Sequence, residues 1–173
     1  MNGIRCKADS GFVLNTQMDV QTLEFFYTPN SYNDSGLVSS TSTNGYTASN
    51  FSWRNSGTIS KSNISKIYVN NVSKTSETDI ANVFVLNQPH HVVIEYASPI
   101  SGDITFNSSL YGAIQGQFQN IAIYEKAFTA QDVETHFELY TGKPVESVSE
   151  SAITLTELEP AYYNNDWIVI QSI

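Results

Sequence analysis

Apolar and polar residues alternate over short stretches of this chain, and clusters of Ser, Thr, Asn and Gly separate one stretch from the next. Residues 20–27 give the clearest alternation, with Leu23 and Phe25 on one face and Glu24 and Phe26 on the other. Aromatic residues on both faces are typical of an inner strand of a sandwich. The same reasoning predicts strands at residues 3–8, 12–14, 20–27, 37–40, 51–53, 67–69, 83–86, 91–96, 104–106 and 118–124.

One helix is predicted late in the chain, at about 129–140. Thr129 is a good N-cap residue, and Asp132 three positions later completes an approximate capping box. Phe128 before the cap and Val133 in the first turns form a hydrophobic staple. These features predict where the helix begins.

The rest of this helix predicts how it packs and where it ends. An apolar stripe that would lie on a sheet is formed by Val133, Phe137 and Tyr140. Gly142 is the expected C-terminal cap residue, and Pro144 prevents continuation.

Many short strands followed by one short late helix predict an all-β fold, an antiparallel two-sheet jelly-roll sandwich. This sandwich is expected to occupy residues 1–145. Residues 146–151 are then an acidic linker, and the tail that completes residues 146–173 has strand-like stretches at 153–155 and 167–170. The tail either adds edge strands to the sandwich, which we favour, or docks on another subunit or domain.

Composition narrows the classes of partner. Charged residues make up only 14% of the chain, and 17 acidic against 8 basic residues give a net charge of −9. Such a chain repels phosphate backbones and anionic lipid, so we expect neither nucleic acid nor a membrane surface as partner. Membrane insertion is not expected, because no apolar run approaches about 18 residues. Cys6 is the only cysteine, which excludes an intrachain disulfide.

Several segments together resemble the concanavalin A-like, laminin G-like jelly-roll domain, of the divergent kind found in bacteriophage structural proteins. The segments are TLEFFYTP at 22–29, IYVNNV at 67–72, QPHHVVIEY at 88–96 and GQFQNIAIYEKAFTAQDV at 116–133. Pro89 stands where the family pattern usually has Trp, and Asn71 stands where it has Gly. The resemblance covers about residues 3–142 and implies the jelly-roll fold.

Some members of that family bind calcium, but this chain departs from their pattern. Gln119 and Asn120 occupy positions where the family often has Asp and Glu, and calcium requires several oxygen ligands, usually carboxylates. Asp34 and Asp103 lie in predicted loops without forming a ligand-spaced cluster. We therefore expect no cofactor, and calcium is disfavoured.

Other relatives of the fold are glycoside hydrolases, which need two carboxyl groups facing each other across a sugar cleft. Glu24 and Glu95 are interpreted as isolated strand carboxylates on solvent-facing sides. No Ser-His-Asp arrangement, nucleophile elbow or phosphate-binding loop occurs. The sequence therefore predicts that the protein is not an enzyme.

The three histidines add no predicted chemistry. Adjacent strand residues point to opposite faces, so His90 and His91 are not expected to share a metal ion. His136 lies on the predicted helix four positions after Asp132, and the two are interpreted as a surface histidine beside a capping aspartate.

Sugar recognition needs only aromatic platforms and a few fixed polar groups. Candidate glycan-binding residues are Tyr32, Asp34 and Tyr46 in predicted loops, near Trp53 on a predicted strand. A tyrosine ring could stack on a sugar while the aspartate reads hydroxyl groups. The competing interpretation is that Trp53 belongs to the core and the tyrosines are ordinary loop packing.

Two functions are compatible with these observations. Low charge, the absence of an intrachain disulfide and residues 1–7 without a signal-like apolar stretch suit a protein exposed on a particle. The resemblance implies a non-enzymatic virion structural or appendage module: a capsid decoration, fibre or tail-associated domain. It would lie on the virion surface or outside the cell, with other assembly subunits or further copies of itself as partners. The alternative is a carbohydrate-binding, lectin-like domain that contacts a host or matrix glycan.

Overall fold

The computed structural model describes residues 4–6, 12–33, 35–40, 49–54, 56–108 and 116–142. Within them the chain forms eleven strands and one α-helix. Their bounds are β1 (Ile4–Cys6), β2 (Phe12–Asn15), β3 (Val20–Pro29), β4 (Ser35–Ser39), β5 (Ser49–Trp53), β6 (Ile59–Lys61), β7 (Ile64–Val69), β8 (Val72–Ser73), β9 (His90–Ile100), β10 (Asp103–Ser108), β11 (Gly116–Tyr124) and α1 (Ala130–Thr141).

The strands form two antiparallel sheets. The six-stranded sheet has the order β1-β11-β3-β9-β7-β8, and the five-stranded sheet has the order β2-β10-β4-β5-β6. The prediction of an all-β, antiparallel two-sheet sandwich with one short late helix is therefore confirmed. Residues 146–173, predicted to be a linker and tail, lie outside the described residues.

The main core lies between the sheets and is rich in aromatic residues. Leu23, Phe25 and Tyr27 of β3 are fully buried there, as their alternation predicts. Phe12 stacks on Phe106 with ring centroids 4.7 Å apart, and this contact joins the edge strand β2 to its neighbour β10. Stability of the sandwich thus comes from burial of large apolar side chains.

A second, smaller apolar cluster lies between α1 and the outer face of the six-stranded sheet. It consists of Val93, Tyr124, Phe128 and Val133. The helix begins as predicted, because Thr129 and Asp132 form a reciprocal capping box. It ends at Gly142, which has φ 68° in the left-handed region. Both faces of the central strands β3, β9 and β11 are therefore covered.

One turn follows from local residue preferences, and one predicted strand is absent. Asn70 and Asn71 have φ of 51° and 63°, left-handed values that asparagine tolerates, and they form the hairpin turn between β7 and β8. The strand predicted at 83–86 is wrong, since a 3₁₀ turn, Ile80–Asn82, precedes this segment and turns the chain. The Asp79 side chain caps that turn by accepting a hydrogen bond from the Ala81 N–H. Val83 and Phe84 are therefore buried in a segment that leaves a turn, and they do not belong to a strand.

A β-bulge in β11 decides which of its side chains face the helix. The register with β3 shifts between Gln119 and Ala122, and Asn120 has φ 49° at this point. The extra residue resets the alternation, so that Ile123 enters the main core and Tyr124 faces α1.

Candidate functional site

Four polar side chains meet on the outer face of the six-stranded sheet, beneath α1. Glu24 comes from β3, His91 from β9, Tyr124 from β11 and His136 from the helix. We call these four residues the Glu24 cluster. Among the described residues, Glu24 is the buried carboxylate with the most side-chain hydrogen-bond partners.

The strand register brings three members of the cluster together. Glu24 lies opposite Val93 on one side and Ala122 on the other. His91 and Tyr124 are two residues away from those partners, so each is a diagonal neighbour of Glu24 on the same face. The backbone therefore fixes this part of the site before the helix packs on it.

Hydrogen bonds converge on the Glu24 carboxylate. His91 Nε2 lies 2.6 Å from Oε1, and the Tyr124 hydroxyl donates to Oε2 at 2.6 Å. His136 Nδ1 lies 2.9 Å from Oε2 and 3.2 Å from Oε1, so that the helix contacts both oxygens. The side chains of Glu24 and His91 are each 1% exposed, whereas that of His136 is 24% exposed.

The carboxylate of Glu24 is held in its ionised form despite its burial. Burial alone would raise its pKa, because a charge is poorly solvated inside a protein. Hydrogen bonds from His136, His91 and Tyr124 and the electrostatic attraction to His136 outweigh that effect and lower the pKa from 4.5 to about 2. Burial and the adjacent charge of Glu24 raise the pKa of Tyr124, which keeps its hydroxyl protonated as a donor.

This geometry suits attachment better than catalysis. An ionised carboxylate that accepts three hydrogen bonds has no proton to give and few lone pairs left for another group. His136 Nδ1 bridges the two oxygens, the position that a bidentate metal ion would occupy. In the described residues, no group of three or more His, Cys, Asp or Glu side chains could hold a metal ion. The Glu24 cluster thus fastens α1 to the sheet.

The solvent-facing positions predicted for Glu24 and Glu95 are wrong. Glu24 lies under the helix, and Glu95, on the same sheet face, is also buried and pairs with Lys66 at 3.1 Å. Ser65 adds a hydrogen bond of 2.8 Å from its hydroxyl to Glu95 Oε1. Both carboxylates are buried because each has partners on neighbouring elements.

The prediction that His136 lies on the surface is also wrong, whereas the predicted capping role of the neighbouring Asp132 is confirmed. The ring of His136 turns toward the sheet, between the rings of Tyr124 and Phe128 at 5.7 and 4.8 Å. A signal for this was present in the sequence. Phe26 gives β3 an aromatic residue on its second face, so that face must also be covered, and a carboxylate on it needs donors.

The adjacent histidines of β9 point to opposite sides, as predicted. His90 faces the main core side, where its Nε2 lies 3.0 Å from the Val85 backbone and its ring packs 5.4 Å from Phe84. His91 faces the helix. The two therefore serve different layers of the fold.

Of the predicted glycan-binding residues, only Tyr32 can be located. It is half-buried, it packs against the main core, and its hydroxyl donates to the Phe84 carbonyl at 2.6 Å. Asp34 and Tyr46 lie outside the described residues. Trp53 is buried in the core at 2% exposure, which supports the interpretation of this residue as core.

Two further features concern partners and cofactors. Gln119 and Asn120, where the resemblance would put calcium-binding carboxylates, lie at the bulge of β11. The expectation that calcium does not bind stays a prediction. No helix among the described residues is long and apolar enough to span a membrane.

Fold and site together define an antiparallel two-sheet β-sandwich whose single described helix is fastened through a buried carboxylate. The chain matches no protein-family model, and comparisons with curated proteins and with solved structures likewise found no match.

Proposed function

We propose that this chain is a non-enzymatic structural or appendage module of a virion, such as a capsid decoration, fibre or tail-associated domain. The Glu24 cluster carries the proposal. The Glu24 carboxylate accepts hydrogen bonds from two strands and the helix, so its role in the molecule is to hold these elements together. A chain with only 14% charged residues and no intrachain disulfide fits a domain whose role is packing against neighbours.

In this role the domain lies on the surface of the particle or outside the cell. Its partners are other subunits of the assembly or further copies of itself, and neither nucleic acid nor lipid is required. The net charge of −9 supports this choice, because it opposes contact with phosphate-rich surfaces.

Quantitative mass spectrometry of particles purified from the source organism tests this proposal. We expect the chain in the particles at a fixed copy number relative to the major shell protein, and we expect it to remain after a high-salt wash. Absence from the particles, or a copy number that varies between preparations, contradicts the proposal.

Carbohydrate binding is the second candidate function, and the hydrogen bond that holds the Tyr32 side chain in place favours it. Because the hydroxyl of Tyr32 is anchored to Phe84, the ring is held in one orientation while part of it remains exposed. A fixed aromatic ring is the kind of platform on which a sugar stacks at low entropic cost. Asp34, two positions after Tyr32, and Tyr46, which follows β4 in the sequence, would supply the remaining contacts to the sugar.

A glycan array, probed with calcium and again with a chelator, separates the two candidates. If the second is correct, one class of sugar binds and Tyr46→Ala weakens that binding by about 1–3 kcal/mol. The control is Val72→Ala, an exposed valine in β8, which should leave affinity unchanged. Unchanged affinity in Tyr46→Ala contradicts the role of Tyr46, and loss of binding with chelator contradicts the expectation that calcium is not used.

A further inference from the structure

The four edges of the two sheets differ in how they are protected. The edge strands β8 and β1 have only two and three residues. The outer side of β6 is already used, since the Ile59 N–H donates to the Thr78 carbonyl at 2.9 Å and Lys61 donates to the Thr75 and Glu77 carbonyls. Short length and covered backbone groups are the usual defences of a sheet edge.

The edge strand β2 is the longest of the four edge strands, with four residues, and within the described residues no such cover of its outer side is seen. It pairs with β10 along all four of its residues, and no described strand lies on its other side. It contains neither a proline nor a charged residue, and Val13 in its centre is 57% exposed. Such an edge offers backbone donors and acceptors to a further strand.

We propose that residues 167–170 of this chain, with the sequence WIVI, pair with the open edge of β2 in the same molecule. This proposal rests on the fold and is independent of the proposed function. The segment is the most strand-prone outside the described residues, because tryptophan and β-branched residues favour extended backbone. Pairing would cover Val13 and the outward backbone groups of β2.

Chain length allows this pairing. Residues 143–166 connect Gly142 to the segment, and a flexible linker of that length has a root-mean-square span of about 27 Å. A domain of this size has a radius of gyration of about 14 Å, so the linker can reach across it. Tethering at that span gives an effective concentration in the millimolar range, which favours the same molecule over a second copy.

Hydrogen exchange of the β2 backbone amides, measured by NMR on the full chain, tests the proposal. Amides directed toward β10 are protected in any case, so the outward-directed amides of residues 12–15 report the pairing. We expect these amides to be protected in the parent chain and to exchange at least about 10-fold faster in Val169→Pro, because proline removes a ladder donor. The control Ser149→Pro, in the acidic linker, should change nothing.

A second variant changes β2 itself, so this part of the test does not depend on altering the tail. Val13→Lys should also accelerate exchange of the outward-directed amides of β2, whereas Val72→Lys, at a similarly exposed valine in the edge strand β8 of the other sheet, should not. Outward amides that exchange rapidly in the parent chain overturn the proposal. Protection that increases with protein concentration overturns it as well, because it assigns the contact to a second copy.

Discussion

Glu24 is the residue whose surroundings most constrain the fold. A buried ionised carboxylate is tolerated when several donors replace its water, and here the donors come from β9, β11 and α1. Removal of one donor therefore leaves part of a charge unsatisfied in the interior. The arrangement makes the position of the helix depend on a small number of polar contacts.

His136→Ala should lower the free energy of unfolding by about 3 kcal/mol, because it leaves the Glu24 oxygens without their helix donor. Equilibrium urea unfolding measures this change. The control Glu134→Ala removes an exposed side chain from the same helix and should change stability by less than about 0.5 kcal/mol. Equal effects of the two variants would mean that His136 does not hold the helix.

At the scale of elements, the apolar packing of α1 on the sheet is tighter near its N-terminal end than near its C-terminal end. Phe128 and Val133 are buried, and Tyr140 is 43% exposed, although its ring still packs 5.1 Å from Phe26. Along the predicted apolar stripe of α1, burial is thus greatest at Val133 and least at Tyr140. Phe137 is half-buried beside His91, at a ring distance of 5.8 Å.

Phe128→Ala should cost about 3–5 kcal/mol of unfolding free energy, the usual range for a buried phenylalanine. Thermal or urea unfolding followed by near-ultraviolet circular dichroism measures this cost. Leu139→Ala, on the exposed side of α1, is the matched control and should be nearly neutral. A cost below about 1 kcal/mol for Phe128→Ala would contradict the packing of the helix described here.

Local patterns predicted the elements better than the site. The alternation in β3, the caps of α1 and the Asn70-Asn71 turn are each encoded by a few neighbouring residues. The strand predicted at 83–86 failed because Asp79 caps a 3₁₀ turn just before it. The Glu24 cluster was missed because its members are brought together by pairing of β3 with β9 and β11 and by a bulge, neither of which appears in local periodicity.

At the scale of the whole molecule, the sandwich has two apolar layers with different characters. The layer between the sheets is rich in aromatic residues, whereas the layer beneath α1 combines apolar residues with the Glu24 cluster. The second layer gives the stability of the molecule a dependence on pH. This follows because the pKa of Glu24 is lower in the folded state than in the unfolded chain.

The direction of that dependence is fixed by the pKa shift. The stabilisation from Glu24 is fully present above about pH 4.5, and it is lost as the pH falls from about 4.5 toward 2 and the carboxylate becomes protonated. The shift corresponds to about 3 kcal/mol of unfolding free energy. Glu24→Gln lacks the titrating group and should lack this part of the pH dependence.

The most direct test of the claim that the Glu24 cluster fastens the helix is the free energy of unfolding of the parent chain and of Glu24→Gln, each measured between pH 7 and pH 2. We predict that the variant is less stable at pH 7 and that the difference narrows by about 3 kcal/mol as the pH falls through the range from 4.5 to 2. A difference that stays constant over the whole pH range would contradict the account.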